Sequence, residues 1–165
     1  MAVTYEQIAW QSLSASAATV TFSSIASSWT DLRLVINPIS TGASDYNLFV
    51  KANAITSYYS YAMWHSGSAI GNSYVSYSQG MNLISGVGFR TTPSTYTLEI
   101  FDYASSRYKY ATAFGSSRNG TNGYVNRGYF GINSTAAITS LTIATDAGNN
   151  FASGSTFALY GIKAA

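Results

Sequence analysis

The chain has 165 residues, enough for one domain with a continuous core and too few for two domains of ordinary size. Hydrophobic residues make up 47% of it and charged residues only 8%, against about 25% charged in an average soluble domain. The net charge is +2 and the basic residues are scattered singly, which excludes the basic patch that nucleic acid binding requires. There is no cysteine, so disulfides and thiolate metal sites are excluded as well.

Uncharged polar residues and tyrosine must therefore cover the surface. Such a surface suits permanent burial in an assembly, because an unpaired charge is costly to desolvate and a hydroxyl or a ring is not. Residues 1–7 lack the basic start and apolar run of a secretory signal, and no later stretch reaches the roughly 20 apolar residues of a membrane span. We expect one soluble domain over residues 1–165, made in a cytoplasm and without a membrane span.

Apolar and polar residues alternate with a period of two along much of the chain, whereas the spacing of an amphipathic helix is nowhere sustained. The clearest alternation lies where Leu32, Leu34 and Ile36 would face one side of a strand that Pro38 ends. In chain order, the stronger predicted strands are residues 18–22, 30–37, 46–51, 96–101, the segment around Leu141 and Ile143, and residues 156–162. Weaker candidates are residues 4–10, 58–64, 81–89, 108–114 and 124–132.

Turn-forming clusters rich in Gly, Asn, Asp and Ser separate these segments, at residues 40–45, 118–123 and 146–150. The count of eight to ten antiparallel strands predicts an all-β fold, a β-sandwich that is jelly-roll-like. Residues 54–85 show the least regular pattern, and we expect them to carry the long loops.

The last predicted strand is apolar on both faces, because Phe157 and Leu159 alternate with Tyr160 and Ile162. A strand of this kind either lies between two layers or packs against another subunit. Tyr160 and Ile162 are therefore candidate interface residues.

Catalytic groups are few. The only histidine is His65, and the six carboxylates are widely separated in the sequence, without the spacing of a metal site. Glu99 is interpreted as an outward-facing strand residue, and Asp31 and Asp102 as hydrogen-bonding residues at strand ends or turns. We expect a protein that is not an enzyme and that has no cofactor or metal, although a calcium site built from loop carbonyls would leave no pattern in the sequence.

The positive feature is an aromatic cluster at residues 58–65, YYSYAMWH. Tyrosine and tryptophan favour protein interfaces and stacking faces because they offer large contact area at low entropic cost. Its candidate contact residues are Tyr58, Tyr59, Tyr61, Trp64 and His65. Three interpretations remain open: Tyr59, Tyr61 and Met63 point into the core while the others cover its rim, or the cluster is a subunit interface, or it is a ligand platform.

Two signatures lie near the ends of the chain: ATVTFSSI at residues 18–25 with WTDLRLV at residues 29–35, and AITSLTI at residues 137–143 with FASGSTFALYGI at residues 151–162. In these segments the chain resembles a family of phage virion structural proteins, described as capsid decoration, tail or fibre components. The resemblance covers about a third of the chain. The segment KANAITSYYS at residues 51–60 lacks the Gly and Asp of the family's usual turn, so loop contacts do not carry over.

This resemblance implies a β-sandwich, a homotrimer and a place on the exterior of a virion made in the host cytoplasm, and it implies no catalytic residues. The first functional hypothesis is a capsid decoration (cement) protein that contacts the major capsid protein or other virion proteins. Since the sequence begins at Met1 and carries no shaft-like segment, a fibre tip is not the first expectation. The second hypothesis is a tail or fibre module that binds a host-surface glycan by stacking on Trp64, and a cellular lectin is a weaker third.

Overall fold

The computed structural model describes residues 4–44, 46–66, 69–77, 79–84, 89–119, 122–145 and 148–163, and these contain strands and no helix. In chain order the strands are β1 (Thr4–Ser12), β2 (Thr19–Phe22), β3 (Asp31–Asn37), β4 (Leu48–Ala52), β5 (Tyr58–Ser66), β6 (Ala69–Tyr77), β7 (Met81–Asn82), β8 (Thr95–Phe101), β9 (Lys109–Asn119), β10 (Asn122–Ile132), β11 (Leu141–Thr145) and β12 (Thr156–Lys163).

Two antiparallel sheets form a β-sandwich. The larger sheet has eight strands in the order β1-β12-β3-β8-β9-β10-β5-β6, and the smaller has four in the order β2-β11-β4-β7. Buried side chains from both sheets form one hydrophobic cluster between them. The expected all-β sandwich is confirmed. The jelly-roll form is not confirmed, because a jelly roll has eight strands and this fold has twelve within its described residues.

The alternation in the sequence correctly identifies the core side of the strongest strands. On β3, Leu32, Leu34 and Ile36 are buried, while Arg33 and Val35 lie on the other face and are only partly covered. The side chains predicted to face the core are likewise buried on other strands: Val20 and Phe22, Leu48 and Val50, Tyr96, Leu98 and Ile100, Leu141 and Ile143, and Phe157 and Leu159.

The middle of the chain is more regular than the sequence suggested. Residues 54–85 contain β5, β6 and β7, and β5 pairs with β6 along its whole length from Tyr58↔Tyr77 to Ser66↔Ala69. The expectation of long loops there is wrong. The inward side chains of β5 include Ser60 and Ala62, so this strand lacks the large aliphatic residues that make an alternating pattern visible. Of the weaker strand predicted at residues 81–89, the structure gives β7 at Met81–Asn82, and residues 85–88 lie outside the described residues.

Tyr58 connects the two sheets. Its ring is fully buried, and its hydroxyl accepts a hydrogen bond from the Ala52 N–H (2.9 Å) and donates one to the Ala52 carbonyl (3.1 Å). Ala52 ends β4 of the smaller sheet, whereas Tyr58 begins β5 of the larger one. Tyr58 is thus a core residue, and its candidate role as a surface contact is wrong.

The variant Tyr58→Phe should lower the free energy of unfolding by about 1–3 kcal/mol, because it removes the acceptor of the Ala52 N–H in the core, while the Ala52 carbonyl keeps the Ile55 N–H at 3.2 Å. Urea denaturation measures the loss. The matched control is Tyr59→Phe at the next residue, where the tyrosine is 49% exposed. This substitution should change the free energy of unfolding by less than about 0.5 kcal/mol. Equal effects of the two substitutions would contradict this role of Tyr58.

Candidate functional site

Exposed rings gather on the outer face of the larger sheet, the face turned away from the smaller sheet. On β5, Tyr59 and Tyr61 alternate with the buried Tyr58, Ser60 and Ala62. The neighbouring strands β10 and β9 add further side chains to the same side. We call the outer side of β5, β9 and β10 the aromatic face; its exposed hydrophobic side chains are Tyr59, Tyr61, Met63, Tyr110, Phe114, Val125 and Tyr129. His65, Arg118 and Arg127 are exposed on the same side.

Strand register brings the rings together. Tyr129 on β10 lies directly opposite Tyr61 on β5, and Gly131 lies between Tyr59 and Tyr110. Directly opposite residues of antiparallel strands have Cβ atoms about 4.5–5.5 Å apart, close enough for their rings to form one surface. Since Gly131 has no side chain, the four tyrosines border a shallow depression of about 260 Å³.

The rings of the aromatic face are widely exposed. Tyr110 is 67% exposed, Tyr129 50% and Tyr59 49%. At about 200 Å² for a whole ring, the five rings of the face together expose about 500 Å². Patches of this size on monomeric proteins are often functional. The aromatic face is therefore our candidate functional site.

The candidate residues of the aromatic cluster lie on both faces of β5, because successive side chains of a strand point to opposite sides. Tyr59 and Tyr61 lie on the aromatic face, so the interpretation that places them and Met63 in the core is wrong by one residue of register. His65 is also exposed on that side, opposite Val125. Trp64 faces the other way, is half-buried, and lies over Gly71 of β6, where a Cβ would come within 2.3 Å of the indole. The structure therefore gives no exposed stacking face centred on Trp64.

Tyr110, Phe114 and Tyr129 were missed by sequence reasoning, although their strands were predicted. A usable signal exists on β9, where Tyr110 and Phe114 alternate with the buried Ala111 and Ala113. Large rings usually lie on the core side of a strand. The sequence pattern of β9 would therefore place Tyr110 and Phe114 in the core and the alanines outside, which is the reverse of the structure.

Tyr160 and Ile162 lie on the same outer face, at the opposite end of the sheet. They belong to β12, between β1 and β3, and are partly covered. The Tyr160 ring stacks on Tyr5 of β1 at 4.7 Å between centroids. The structure therefore does not bring them together with Tyr59 and Tyr61, from which β3, β8, β9 and β10 separate them.

Charged side chains occupy the middle of the outer face. Arg33 on β3 pairs with Glu99 on β8 at 3.2 Å. The Arg127 guanidinium on β10 lies 5.6 Å from the centre of the Phe114 ring. Together with Thr97, Thr112 and Tyr129, these residues line a second depression of about 360 Å³, which we call the central depression.

Four ionisable groups near the turn after β8 have structural partners. An Asp31 carboxylate oxygen accepts the Asp102 N–H at 2.7 Å, and Asp102 also pairs with Arg107 at 2.6 Å, as expected for strand-end and turn residues. The Lys109 ammonium donates to the carbonyls of Ser105 (2.7 Å) and Arg107 (2.8 Å). Burial lowers the pKa of Lys109, and the negative charge of Asp102 opposes that shift.

Over the described part of the chain, no group of three His, Asp or Glu side chains is placed to hold a metal ion. The same residues contain no helix long and apolar enough to cross a membrane. Comparison with protein-family models, with curated proteins and with solved structures finds no match for the chain. The assignment of function therefore depends on the sequence and on the geometry of the outer face.

Two buried tyrosines generate a prediction about pH. Burial raises the pKa of Tyr58 and of Tyr96 to about 12, because the charged phenolate is poorly solvated inside the protein. In the unfolded chain a tyrosine ionises near pH 10. The stabilisation linked to each group is therefore complete below about pH 10 and is lost as the pH rises towards about 12.

We expect the free energy of unfolding to fall as the pH is raised from about 9 to about 11.5, and to fall less steeply in the variant Tyr96→Phe. Urea denaturation at several pH values measures both slopes. Below about pH 9 the slopes of the original protein and of Tyr96→Phe should agree, because Tyr96 is neutral in both the folded and the unfolded chain there. An unchanged slope in Tyr96→Phe would contradict the proposed linkage.

Proposed function

We propose that the protein is a non-enzymatic structural protein of a phage particle, a capsid decoration protein that contacts the outer shell through the aromatic face. The observation that carries the proposal is this broad surface of exposed rings on β5, β9 and β10, with Tyr59, Tyr61 and Tyr110 at its least charged end. The resemblance of both ends of the chain to phage virion proteins is the reason for proposing a phage particle as the partner. The aromatic face is the surface that we propose contacts it.

The energetics favour a contact that covers most of the face. At about 25 cal/mol per Å², removing about 500 Å² of ring surface from water contributes about 12 kcal/mol. Association costs about 4–15 kcal/mol, so partial coverage leaves little net affinity. A shell of repeated coat subunits offers an extended surface that can cover all five rings at once.

The low charge of the chain supports the same proposal. Side chains at the centre of lasting interfaces are depleted in charge and enriched in tyrosine, whereas transient complexes use charge to accelerate encounter. Next to Tyr110, Lys109 is buried on the inner side of β9 and held by two carbonyls. The exposed charges of the aromatic face, Arg127 and Arg118, lie towards its other end, at and beyond Phe114. A homotrimer is part of the proposal on the strength of the resemblance alone, and analytical ultracentrifugation of the purified chain tests it.

The test is to add purified protein to particles that lack it, and to determine by electron microscopy where it binds and whether the particles resist heat better. We expect density across the capsid shell and a higher temperature of particle disruption. The double variant Tyr59→Ser/Tyr110→Ser should bind at least 100-fold more weakly, because buried tyrosines at an interface each contribute about 2 kcal/mol or more.

The matched control is Trp10→Ser, which removes a ring that is 58% exposed on β1 at the far end of the same sheet. It should leave shell binding unchanged. Binding only at the tail or to host cells would instead favour the receptor-binding hypothesis, and equal losses in the variant and the control would remove the aromatic face as the contact.

A further inference from the structure

The central depression has the size and composition of a small-ligand site. Its volume of about 360 Å³ lies in the range of about 300–1,000 Å³ that is usual for such sites. Four adjacent strands, β3, β8, β9 and β10, contribute its side chains in register: Arg33 lies opposite Glu99, Glu99 opposite Thr112, and Thr112 opposite Tyr129. A row of alternating charge, hydroxyl and ring thus crosses the floor of the depression.

The charges of the depression leave one positive charge uncompensated. Arg33 and Glu99 neutralise each other at 3.2 Å, and both are about two-thirds buried, at 38% and 32% side-chain exposure. Arg127 forms no ion pair with a carboxylate of the described residues, and its guanidinium lies against Phe114. A guanidinium held against a ring keeps its planar donors free for a carboxylate, which it binds with two parallel hydrogen bonds.

The remaining lining groups suit a sugar. Tyr129 is 50% exposed and offers a ring next to the Thr112 side chain. A pyranose ring has an apolar C–H face that packs on an aromatic ring, and hydroxyls at its edge that bind carboxylate and hydroxyl groups. Glu99, held in place by Arg33, and Thr112 are groups of this kind. A nucleic acid is a poorer fit, since its phosphates would need several cations and would meet the Glu99 carboxylate.

We propose that the central depression binds an acidic saccharide, with the sugar carboxylate on Arg127, a sugar ring on Tyr129 and its hydroxyls on Glu99 and Thr112. This site goes beyond the attachment to a particle. Phe114 and Tyr129 belong both to the aromatic face and to the central depression, so the protein that is free of the particle is the form that binds the saccharide. The variants chosen for the tests, at Arg127 for the saccharide and at Tyr59 and Tyr110 for the particle, are different, so each proposal can fail alone.

The experiment screens the purified protein on an array of acidic and neutral oligosaccharides and then titrates matched pairs by calorimetry. The pairs are 3′-sialyllactose with lactose, and trigalacturonic acid with maltotriose. We expect binding confined to acidic saccharides, at least tenfold tighter than to the neutral member of a pair. Higher salt should weaken it, because the exposed guanidinium carries the charge contact.

Arg127→Met should lower the affinity for the acidic saccharide at least tenfold, to the level of the neutral one, and Arg127→Lys should retain part of it. The control Lys163→Met removes the same charge from an exposed residue at the end of β12, and should change nothing. Circular dichroism confirms that each variant is folded. The variant Tyr59→Ser/Tyr110→Ser should bind the saccharide with unchanged affinity even if it no longer binds particles.

The absence of any acidic ligand on the array would overturn the proposal, and so would equal affinity for both members of the pairs or an unaffected Arg127→Met. If no saccharide binds and Arg127→Met weakens attachment to particles, the depression belongs to the protein contact and the saccharide site is rejected.

Discussion

The constraint that governs this structure is that its larger sheet has two faces, and the fold supplies only one layer to cover them. The four strands of the smaller sheet pack on the inner side, where side chains such as Leu34 and Leu98 are almost completely buried. Alternate residues of strands such as β3, β8, β9 and β10 therefore point outwards. The chemistry of those outward residues decides whether the outer face is exposed only to water or can contact a partner.

Along the sheet the outer residues change in character. Near β1 and β12 they include aromatic rings, with Tyr5 stacked on Tyr160 and Trp10 58% exposed. In the middle they are charged or hydroxylated, with Arg33 and Glu99 paired across two strands. Towards β5 they are tyrosines with wide exposure. The charged and hydroxylated centre therefore lies between aromatic residues on both sides, and one face can carry two kinds of contact without either needing a cavity in the core.

Sequence reasoning succeeded where the two faces of a strand differ in chemistry. On β3 the inner residues are aliphatic and Arg33 lies among the outer ones, so the sequence alone shows which face of the strand is buried. On β5 the same reasoning could not choose. Tyr58 faces in and Tyr59 faces out, and both are tyrosines. A period of two identifies the two sets of residues but not which set is buried, and a one-residue change of register exchanges them.

The residues of the central depression could not be predicted from the sequence, for a different reason. Arg33, Glu99, Thr112 and Tyr129 are far apart in the chain, and they become neighbours only because β3, β8, β9 and β10 are adjacent in that order. Strand order is a property of long-range pairing that no local spacing encodes. The hydroxyl of Tyr58, which ties β5 to the end of β4, shows how the inner side of the sandwich holds the larger sheet in place. With the inner face fixed by such contacts, the outer side chains are held in register by the backbone ladder, so their arrangement is available to a partner at little further cost in conformational entropy.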